Sequence, residues 1–332
     1  MAQAKKTPVK RCYDLGPTQL YIEAENEDLL EGFENFLSIY AREDNSPEAS
    51  ASPFTVTIKN GTPEPNPEDA DILYSGKLRN EGHCEFAHRN ENYYLSFPNQ
   101  AHLMADIENR HATIVISPEH PKRSRGSIAP LVIEYALDCD SQHVVHAAGL
   151  ALPNEGGMVI ISAASNTGKT TTSLALAKCG LGFAADDVMV LRPTSAGIVA
   201  FGLPRALNVH RNTAAILPWL DVGPRWNENE EQAVVRSTLA SSIELENGAL
   251  PIKAILLLER KEAASIEPID AAEMLAALVE DNVRSSPFGL TPIQSRRFTM
   301  LADMVSKVPT YRTAVGEGLS GIETIANKIK EL

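Results

Sequence analysis

The residues with the clearest chemical potential follow a short apolar run at residues 158–162, which reads MVIIS. The next eight residues are Ala-Ala-Ser-Asn-Thr-Gly-Lys-Thr and end at Lys169 and Thr170. A buried strand, a loop ending in Gly-Lys-Thr and a helix, in this order, are the layout of a phosphate-binding P-loop. Loop N–H groups and the positive end of the helix dipole then surround nucleotide phosphates. Lys169 would reach the β- and γ-phosphates of ATP, and the Thr170 hydroxyl would ligate Mg²⁺.

The element that must follow this loop is a helix, which the sequence predicts at residues 171–178 with Gly180 as its C-cap. The pattern departs from GxxxxGK[ST] at its first position, where Ala163 replaces the glycine. The loop can still form if Ala163 has a negative φ, because only a positive φ disfavours alanine. The competing interpretation is a tight strand-to-helix turn with an exposed lysine.

A second signal is the acid pair Asp186 and Asp187, which enters a β-branched strand at residues 188–191. Adjacent carboxylates are costly unless they share a cation or a proton. Only one helix and one turn separate them from the Gly-Lys-Thr loop, so we expect this strand beside the P-loop strand. One acid would hold the metal and the other would accept a proton from an attacking hydroxyl. The competing interpretation is a surface turn before a strand.

These motifs together resemble a known family. His146-Ala-Ala-Gly, then SNTGKTT, then GFAADDVMVL at residues 182–191 are similar to the nucleotide-binding domain of HPr kinase/phosphorylase. The chain resembles still more the HPr-kinase-related proteins of peptide-biosynthesis clusters. The resemblance covers about residues 127–332, whereas the first third does not resemble the HPr kinase N-terminal domain.

The resemblance implies an α/β fold, in which a P-loop domain like that of HPr kinase and phosphoenolpyruvate carboxykinase follows a small α+β domain. It implies transfer of the γ-phosphoryl group of ATP to a serine hydroxyl of a protein or peptide, with ATP and Mg²⁺ as cofactors. It is compatible with a homo-oligomer, since HPr kinases form hexamers.

The site residues fall into three roles. For catalysis we expect Lys169, His146 and the acids Asp186 and Asp187, without deciding which acid is the base. We expect Mg²⁺ on Thr170 and Asp187. The residues expected to bind the nucleotide are Ser165, Asn166, Thr167, Gly168, Lys169, Thr170, Thr171 and Arg205.

Two of these assignments have alternatives. His146 matches the histidine that precedes the P-loop strand in the family, but a satisfied core histidine fits equally. A metal pair of His143 and His146 is disfavoured, because strand residues three apart point to opposite faces.

HPr kinases have a glutamate and an arginine beyond the acid pair, whereas residues 201–209 here contain only Arg205. The missing glutamate weakens the expectation of a dephosphorylating activity. Arg205 could bind phosphate through its planar guanidinium or be a surface arginine.

Composition excludes several classes of protein. The 30 basic and 43 acidic residues give a net charge of −13, which argues against a nucleic-acid binder. No apolar run reaches the roughly 20 residues of a membrane span. Residues 1–11 are expected to be a solvated tail rather than a secretory signal. The four scattered cysteines indicate a reducing compartment, so we expect a soluble, cytoplasmic protein.

Patterning divides the chain at a basic connector, residues 118–126. We expect an α+β domain at residues 1–125, with a helix at 23–42 and strands at 54–58, 85–88, 93–97 and 111–116. The kinase-like domain, residues 126–332, would begin with a helix at 128–137. The sequence thus predicts an ATP- and Mg²⁺-dependent kinase acting on a Ser/Thr hydroxyl of a peptide or protein. The alternatives are a kinase of a small alcohol or sugar, and a nucleotide-sensing module with little turnover.

Overall fold

A computed structural model describes residues 7–48, 52–78, 81–123, 126–154, 156–203, 205–284 and 289–332. The chain divides into two units: Met1–Ser141 with Ser286–Gly289, and Gln142–Ser285 with Leu290–Leu332. The boundary therefore follows Ser141 and differs from the one expected after residue 125. The helix Ile128–Asp138 packs on the helix Glu31–Leu37 of the first unit, which is why it belongs there.

The first unit is built on an eight-stranded sheet with the order β1-β2-β3-β8-β7-β6-β5-β4. Most neighbours are antiparallel, but β3 is parallel to both β2 and β8. The strands are β1 (Val9–Leu15), β2 (Thr18–Ala24), β3 (Phe54–Asn60), β4 (Asp71–Leu78), β5 (Gly82–Arg89), β6 (Asn92–Phe97), β7 (Ala101–Asp106) and β8 (His111–Ile116), and the helices are α1 (Glu31–Leu37) and α2 (Ile128–Asp138).

The local predictions for this unit are confirmed in part. The four predicted strands are present as β3, β5, β6 and β8. The helix expected at residues 23–42 is shorter: β2 ends at Ala24, and α1 is flanked by 3₁₀ turns at Glu27–Leu29 and Ser38–Tyr40. The tail expected at residues 1–11 is wrong for residues 9–11, which begin β1 and pair with β2.

The second unit is mixed α/β with a nine-stranded sheet and a two-stranded ribbon. The order is β12-β10-β11-β17-β14-β13-β9, with β19 beside β17 and β18 beside β19; β15 and β16 form the ribbon. The strands are β9 (His143–His146), β10 (Ala148–Leu152), β11 (Gly157–Ser162), β12 (Gly182–Ala185), β13 (Val188–Thr194), β14 (Gly197–Gly202), β15 (Leu207–His210), β16 (Glu231–Val234), β17 (Leu250–Leu258), β18 (Ala264–Pro268) and β19 (Thr310–Val315). The helices are α3 (Lys169–Lys178), α4 (Arg211–Ile216), α5 (Arg236–Leu239), α6 (Ala271–Asn282), α7 (Pro292–Lys307) and α8 (Ile322–Lys330).

Strand β11 is buried on both faces because helices cover both sides of the sheet. Val159 and Ile161 pack in a core that includes residues of α3 and α8. Met158 and Ile160 point the other way, into a core that includes residues of α6 and α7. Successive side chains of a strand alternate between faces, and each fully buried one contributes about 1.5–3 kcal/mol. The continuous apolar run at residues 158–162 therefore forms a central strand, as predicted.

The acid pair Asp186–Asp187 lies where the chain passes between two parts of this sheet. Strand β12 pairs with β10, whereas β13 pairs with β9 and β14. The strand that the acids enter is β13, and the expectation that it lies directly beside β11 is wrong, because β17 and β14 lie between them. Gly202 at the end of β14 packs against Ala184, and a Cβ at position 202 would clash with the Ala184 carbonyl oxygen. This close approach holds the ends of β12 and β14 together beside the acids.

No helix in the described ranges is long and apolar enough to cross a membrane.

Candidate functional site

Residues 163–168, here the 163–168 loop, connect β11 to α3. Asn166 and Gly168 have left-handed φ angles of 63° and 105°, which turn the chain tightly into the helix. The N–H of Thr167 donates to the carbonyl of Ala164 at 3.1 Å. Helix α3 begins at Lys169, two residues earlier than predicted, so the loop opens directly onto its N-terminus. A glycine-containing turn at a helix N-terminus is suited to bind an anion.

Ala163 does not disturb this loop. It is buried, with 1% of its surface exposed, and its φ is not positive. A residue with an ordinary φ does not need to be glycine. The departure from the P-loop pattern is therefore accommodated by the backbone.

Lys169 is buried rather than exposed, which contradicts the interpretation of a turn with a solvated lysine. Only 9% of its surface is exposed, and its Nζ lies 3.4 Å from Asp187 Oδ1. Within the described ranges this ammonium makes no well-formed hydrogen bond. Burial lowers the pKa of Lys169, although Asp187 opposes the shift. A buried cation with unsatisfied donors indicates a missing anionic partner.

The first acid of the pair faces the start of α3. The Thr170 hydroxyl donates to Asp186 Oδ2 at 2.9 Å, and Asp186 is 4% exposed. Burial raises the pKa of Asp186 above its ordinary value, although the charges of Arg205 and Lys169 oppose this. Asp186 is therefore a desolvated carboxylate whose bonded neighbour is a hydroxyl.

The second acid is surrounded by bases. Asp187 Oδ1 lies 2.6 Å from His146 Nε2, and Oδ2 accepts a hydrogen bond from Arg205. Lys169 is the third basic neighbour of Asp187. Burial tends to raise the pKa of Asp187, but the bond to His146 and the charges of Arg205 and Lys169 outweigh it and hold the pKa below its ordinary value. Arg205 is thus not a free surface arginine.

His146 belongs to the site and not to the core, because 40% of its side chain is exposed. Its backbone N–H donates to Asn282 Oδ1 at 2.6 Å, and its Nδ1 lies 4.0 Å from Asp281 Oδ2. His143 is instead buried. No group of three or more His, Cys, Asp or Glu residues suited to hold a metal occurs among the described residues.

These side chains line one cleft of about 1050 Å³ in the second unit. The cleft brings together every site residue that the sequence predicted. They are His146, Ser165, Asn166, Thr167, Gly168, Lys169, Thr170, Thr171, Asp186, Asp187 and Arg205. The rest of the cleft is lined by residues of β15 and β16, by residues 259–262 and by residues 315–319.

Sequence reasoning missed two contacts of this cleft. The Arg260 guanidinium donates to the carbonyls of Asn166 and Thr167, the latter at 3.3 Å. On the other side, the Thr171 hydroxyl lies 2.7 Å from the Thr213 hydroxyl. Arg260 follows an apolar strand in the sequence and is part of no motif there. One signal was available: β17 is buried and apolar like β11, and the carboxyl ends of parallel strands carry ligand sites.

The oxygen atoms of Thr170, Asp186 and Asp187 are of the kind that Mg²⁺ prefers. Protein-bound Mg²⁺ commonly uses one or two carboxylates with waters and substrate phosphates, so this donor set fits a nucleotide-bound Mg²⁺. Lys169 and Arg205 place positive charge beside these oxygen atoms. No protein-family model matches the chain, and no curated protein sequence matches it.

Proposed function

We propose that the protein is an ATP- and Mg²⁺-dependent kinase that phosphorylates a hydroxyl group. The observation that carries the proposal is the buried ammonium of Lys169, which has unsatisfied donors beside two carboxylates. A polyanion in the cleft would supply the missing partner. The adjacent acids provide the oxygen ligands and the base that phosphoryl transfer requires.

In this proposal the 163–168 loop is a P-loop. Its N–H groups and the N-terminus of α3 hold the phosphates, with Lys169 and Arg205 as charged contacts. Thr171 lies in the first turn of α3 and lines the same cleft. We also propose that the second unit has a fold like that of the nucleotide-binding domain of HPr kinase and phosphoenolpyruvate carboxykinase.

The hydrogen bond between Thr170 and Asp186 supports these two residues as the metal ligands. This differs from the pair Thr170 and Asp187 expected from the sequence, since Asp187 is bonded to bases. When bound, Mg²⁺ would neutralise charge on the phosphates. The Thr170 hydroxyl and the buried Asp186 carboxylate are the chain's contribution to holding it.

Asp187 is then the candidate base. The acceptor O–H would give its proton to the Asp187 carboxylate as the acceptor oxygen bonds to the γ-phosphorus, and the bond between that phosphorus and ADP breaks. Lys169 and Arg205 neutralise Asp187 in the free protein, so their transfer to phosphates would make it more basic. His146, 2.6 Å away, orients the carboxylate.

We propose a Ser or Thr hydroxyl of a peptide or protein as acceptor, on the strength of the resemblance to HPr kinases, and a cytoplasmic location. The two cations beside Asp187, Lys169 and Arg205, favour a second candidate, a nucleotide-sensing module with little turnover. In that case Asp187 would stay paired after the nucleotide binds. A kinase of a small alcohol or sugar shares the same site and differs only in its acceptor.

The test is transfer of label from γ-labelled ATP to peptide, protein and sugar acceptors, with ATP affinity measured in parallel. Wild type should bind ATP and label one acceptor class. Lys169→Ala should abolish binding, Asp187→Asn should bind without transfer, and Lys307→Ala, an exposed lysine of α7 paired with Asp303, should match wild type. Tight binding without transfer to any hydroxyl compound supports the sensing module, and unchanged ATP affinity in Lys169→Ala refutes the P-loop assignment.

A further inference from the structure

Arg260 lies next to the 163–168 loop because of the topology of the sheet. Strand β17 is the parallel neighbour of β11, with Leu257 opposite Ser162. The chain leaves both strands at the same edge of the sheet, so the residues that follow β17 meet the loop that follows β11. Arg260 follows two residues after β17 ends, and its guanidinium bonds two successive carbonyls of that loop, those of Asn166 and Thr167.

The loop has few other restraints. Ala164, Ser165 and Asn166 are exposed, and Asn166 has a left-handed φ, which a non-glycine residue adopts at some energetic cost. Inside the loop one backbone hydrogen bond joins Thr167 to Ala164. Throughout the described part of the chain, no side chain other than that of Arg260 bonds a carbonyl of this loop.

Binding both carbonyls also orients the N–H groups. In a trans peptide the C=O and the following N–H point in opposite directions. With the carbonyls of Asn166 and Thr167 turned to Arg260, the N–H groups of Thr167 and Gly168 point away from it. The Thr167 N–H bonds Ala164, while that of Gly168 lies at the cap of α3, where an anion would bind.

The partners of Arg260 are not those of a surface ion pair. Its neighbour Glu259 pairs with Arg312 at 2.8 Å and with Lys261 at 3.4 Å. For Arg260 itself, no carboxylate lies within ion-pair distance in the described residues, and its hydrogen bonds go to backbone carbonyls. A planar fork of donors can bridge two adjacent carbonyls, whereas a lysine ammonium is a single point charge.

We propose that Arg260 is a positioning residue that holds the 163–168 loop in the conformation that binds the phosphates of a nucleotide. This inference rests on the proposed function for its ligand but not for its effect on the loop. It makes the carboxyl end of β17 part of the nucleotide site. Replacing Arg260 should therefore change the conformation of the 163–168 loop even in the nucleotide-free protein.

The experiment compares Arg260→Gln and Arg260→Lys with wild type, with Lys307→Gln as the charge-matched control on α7. Hydrogen exchange of the peptide covering the loop is measured without nucleotide, and the Kd for MgADP is measured by calorimetry. Both Arg260 variants should exchange the loop amides faster in the free protein. Both should bind MgADP about tenfold more weakly, the effect of losing a charged hydrogen bond, while Lys307→Gln matches wild type.

Two results would overturn the inference. Unchanged loop exchange with weaker MgADP binding would make Arg260 a direct phosphate contact, and Arg260→Lys would then keep most of the affinity. Unchanged exchange and unchanged affinity would show that Arg260, an exposed residue, does not position the loop. Failure of the proposed function is distinguishable, since wild type would then bind no MgADP while the exchange of the free loop still tests Arg260.

Discussion

The Thr170 hydroxyl donates a hydrogen bond to the Asp186 carboxylate at 2.9 Å and so connects the start of α3 to the end of β12. The next residue, Asp187, instead contacts the bases His146, Lys169 and Arg205. Two adjacent carboxylates therefore have opposite surroundings, one desolvated and one surrounded by positive charge. Asp186 and Asp187 are identical and adjacent in the sequence, but because their surroundings differ we expect them to have different roles.

The two acids should affect stability in opposite directions. Because burial raises the pKa of Asp186, its ionised form destabilises the fold at neutral pH, and Asp186→Asn should raise the melting temperature. About 1 kcal/mol corresponds to about 2–4 °C in a domain of roughly 200 residues. The gain should shrink as the pH falls through the raised folded pKa and should vanish below the ordinary value of about 4.

Asp187→Asn should lower the melting temperature at neutral pH, because the pKa of Asp187 is held below its ordinary value by its basic neighbours. That stabilisation is present above the ordinary pKa and is lost as the pH falls through it towards the folded value. Thermal unfolding from about pH 2.5 to pH 8 checks both variants, because the range must extend below the ordinary aspartate pKa of about 4. Asp303→Asn, on the exposed face of α7, is the control, and shifts of the same sign for the two acids would contradict the assignment.

Ala163→Gly should not improve nucleotide binding, although it restores the P-loop pattern. The φ of Ala163 is not positive, so glycine would relieve no strain. It would add freedom to the unfolded chain and remove a buried methyl group, and each effect lowers the free energy of unfolding by about 0.5–1 kcal/mol. Gly168→Ala should be worse, because Gly168 has a φ of 105°. Denaturant unfolding and the MgADP Kd measure both effects; tighter binding by Ala163→Gly would show that the loop is strained.

His146→Gln should lower the rate of phosphoryl transfer at least about tenfold, because Asp187, the proposed base, loses the hydrogen bond that orients it. The Kd for MgADP should stay within about twofold, because His146 contacts Asp187 rather than the 163–168 loop. His83→Gln, at an exposed strand position of the first unit, is the matched control. An equal loss of rate and affinity would place His146 among the nucleotide ligands.

Arg205→Gln should weaken nucleotide binding and slow phosphoryl transfer. Arg205 bonds Asp187, the proposed base, and lines the cleft in which we propose that the nucleotide binds. Removing a charged donor from such a site costs about 10²–10³ in rate. Arg205→Lys should recover only part of that loss, since a lysine cannot make a bidentate contact. Steady-state rates with the labelled acceptor decide the point, and full activity in Arg205→Gln would return Arg205 to a structural role.

Local sequence patterns predicted the parts of the site that are contiguous in the chain. The apolar run of β11 identified a central strand because its alternate residues are covered on both faces. The helix after the loop and the acids before β13 followed from residues within a short window. These elements could be predicted because each depends on the spacing of residues that are close together in the sequence.

Contacts between distant segments could not be predicted in this way. Arg260 and Asn166 are 94 residues apart, and Asn282 and His146 are 136 residues apart. Lys10 and Arg11 resemble a solvated tail because they are polar, and only pairing with β2 makes them part of a strand. The sheet order that separates β13 from β11 is likewise a property of the whole unit.

The loop after β11, the acids after β12 and the arginine after β17 come from separate segments that line one cleft. A ligand that contacts all three would connect them across the sheet. Binding then adds to the free energy of unfolding of the whole second unit, by about 2.7 kcal/mol when the ligand is at 100 times its Kd. The survival of the folded unit against proteolysis or heat would consequently depend on the surrounding concentration of nucleotide.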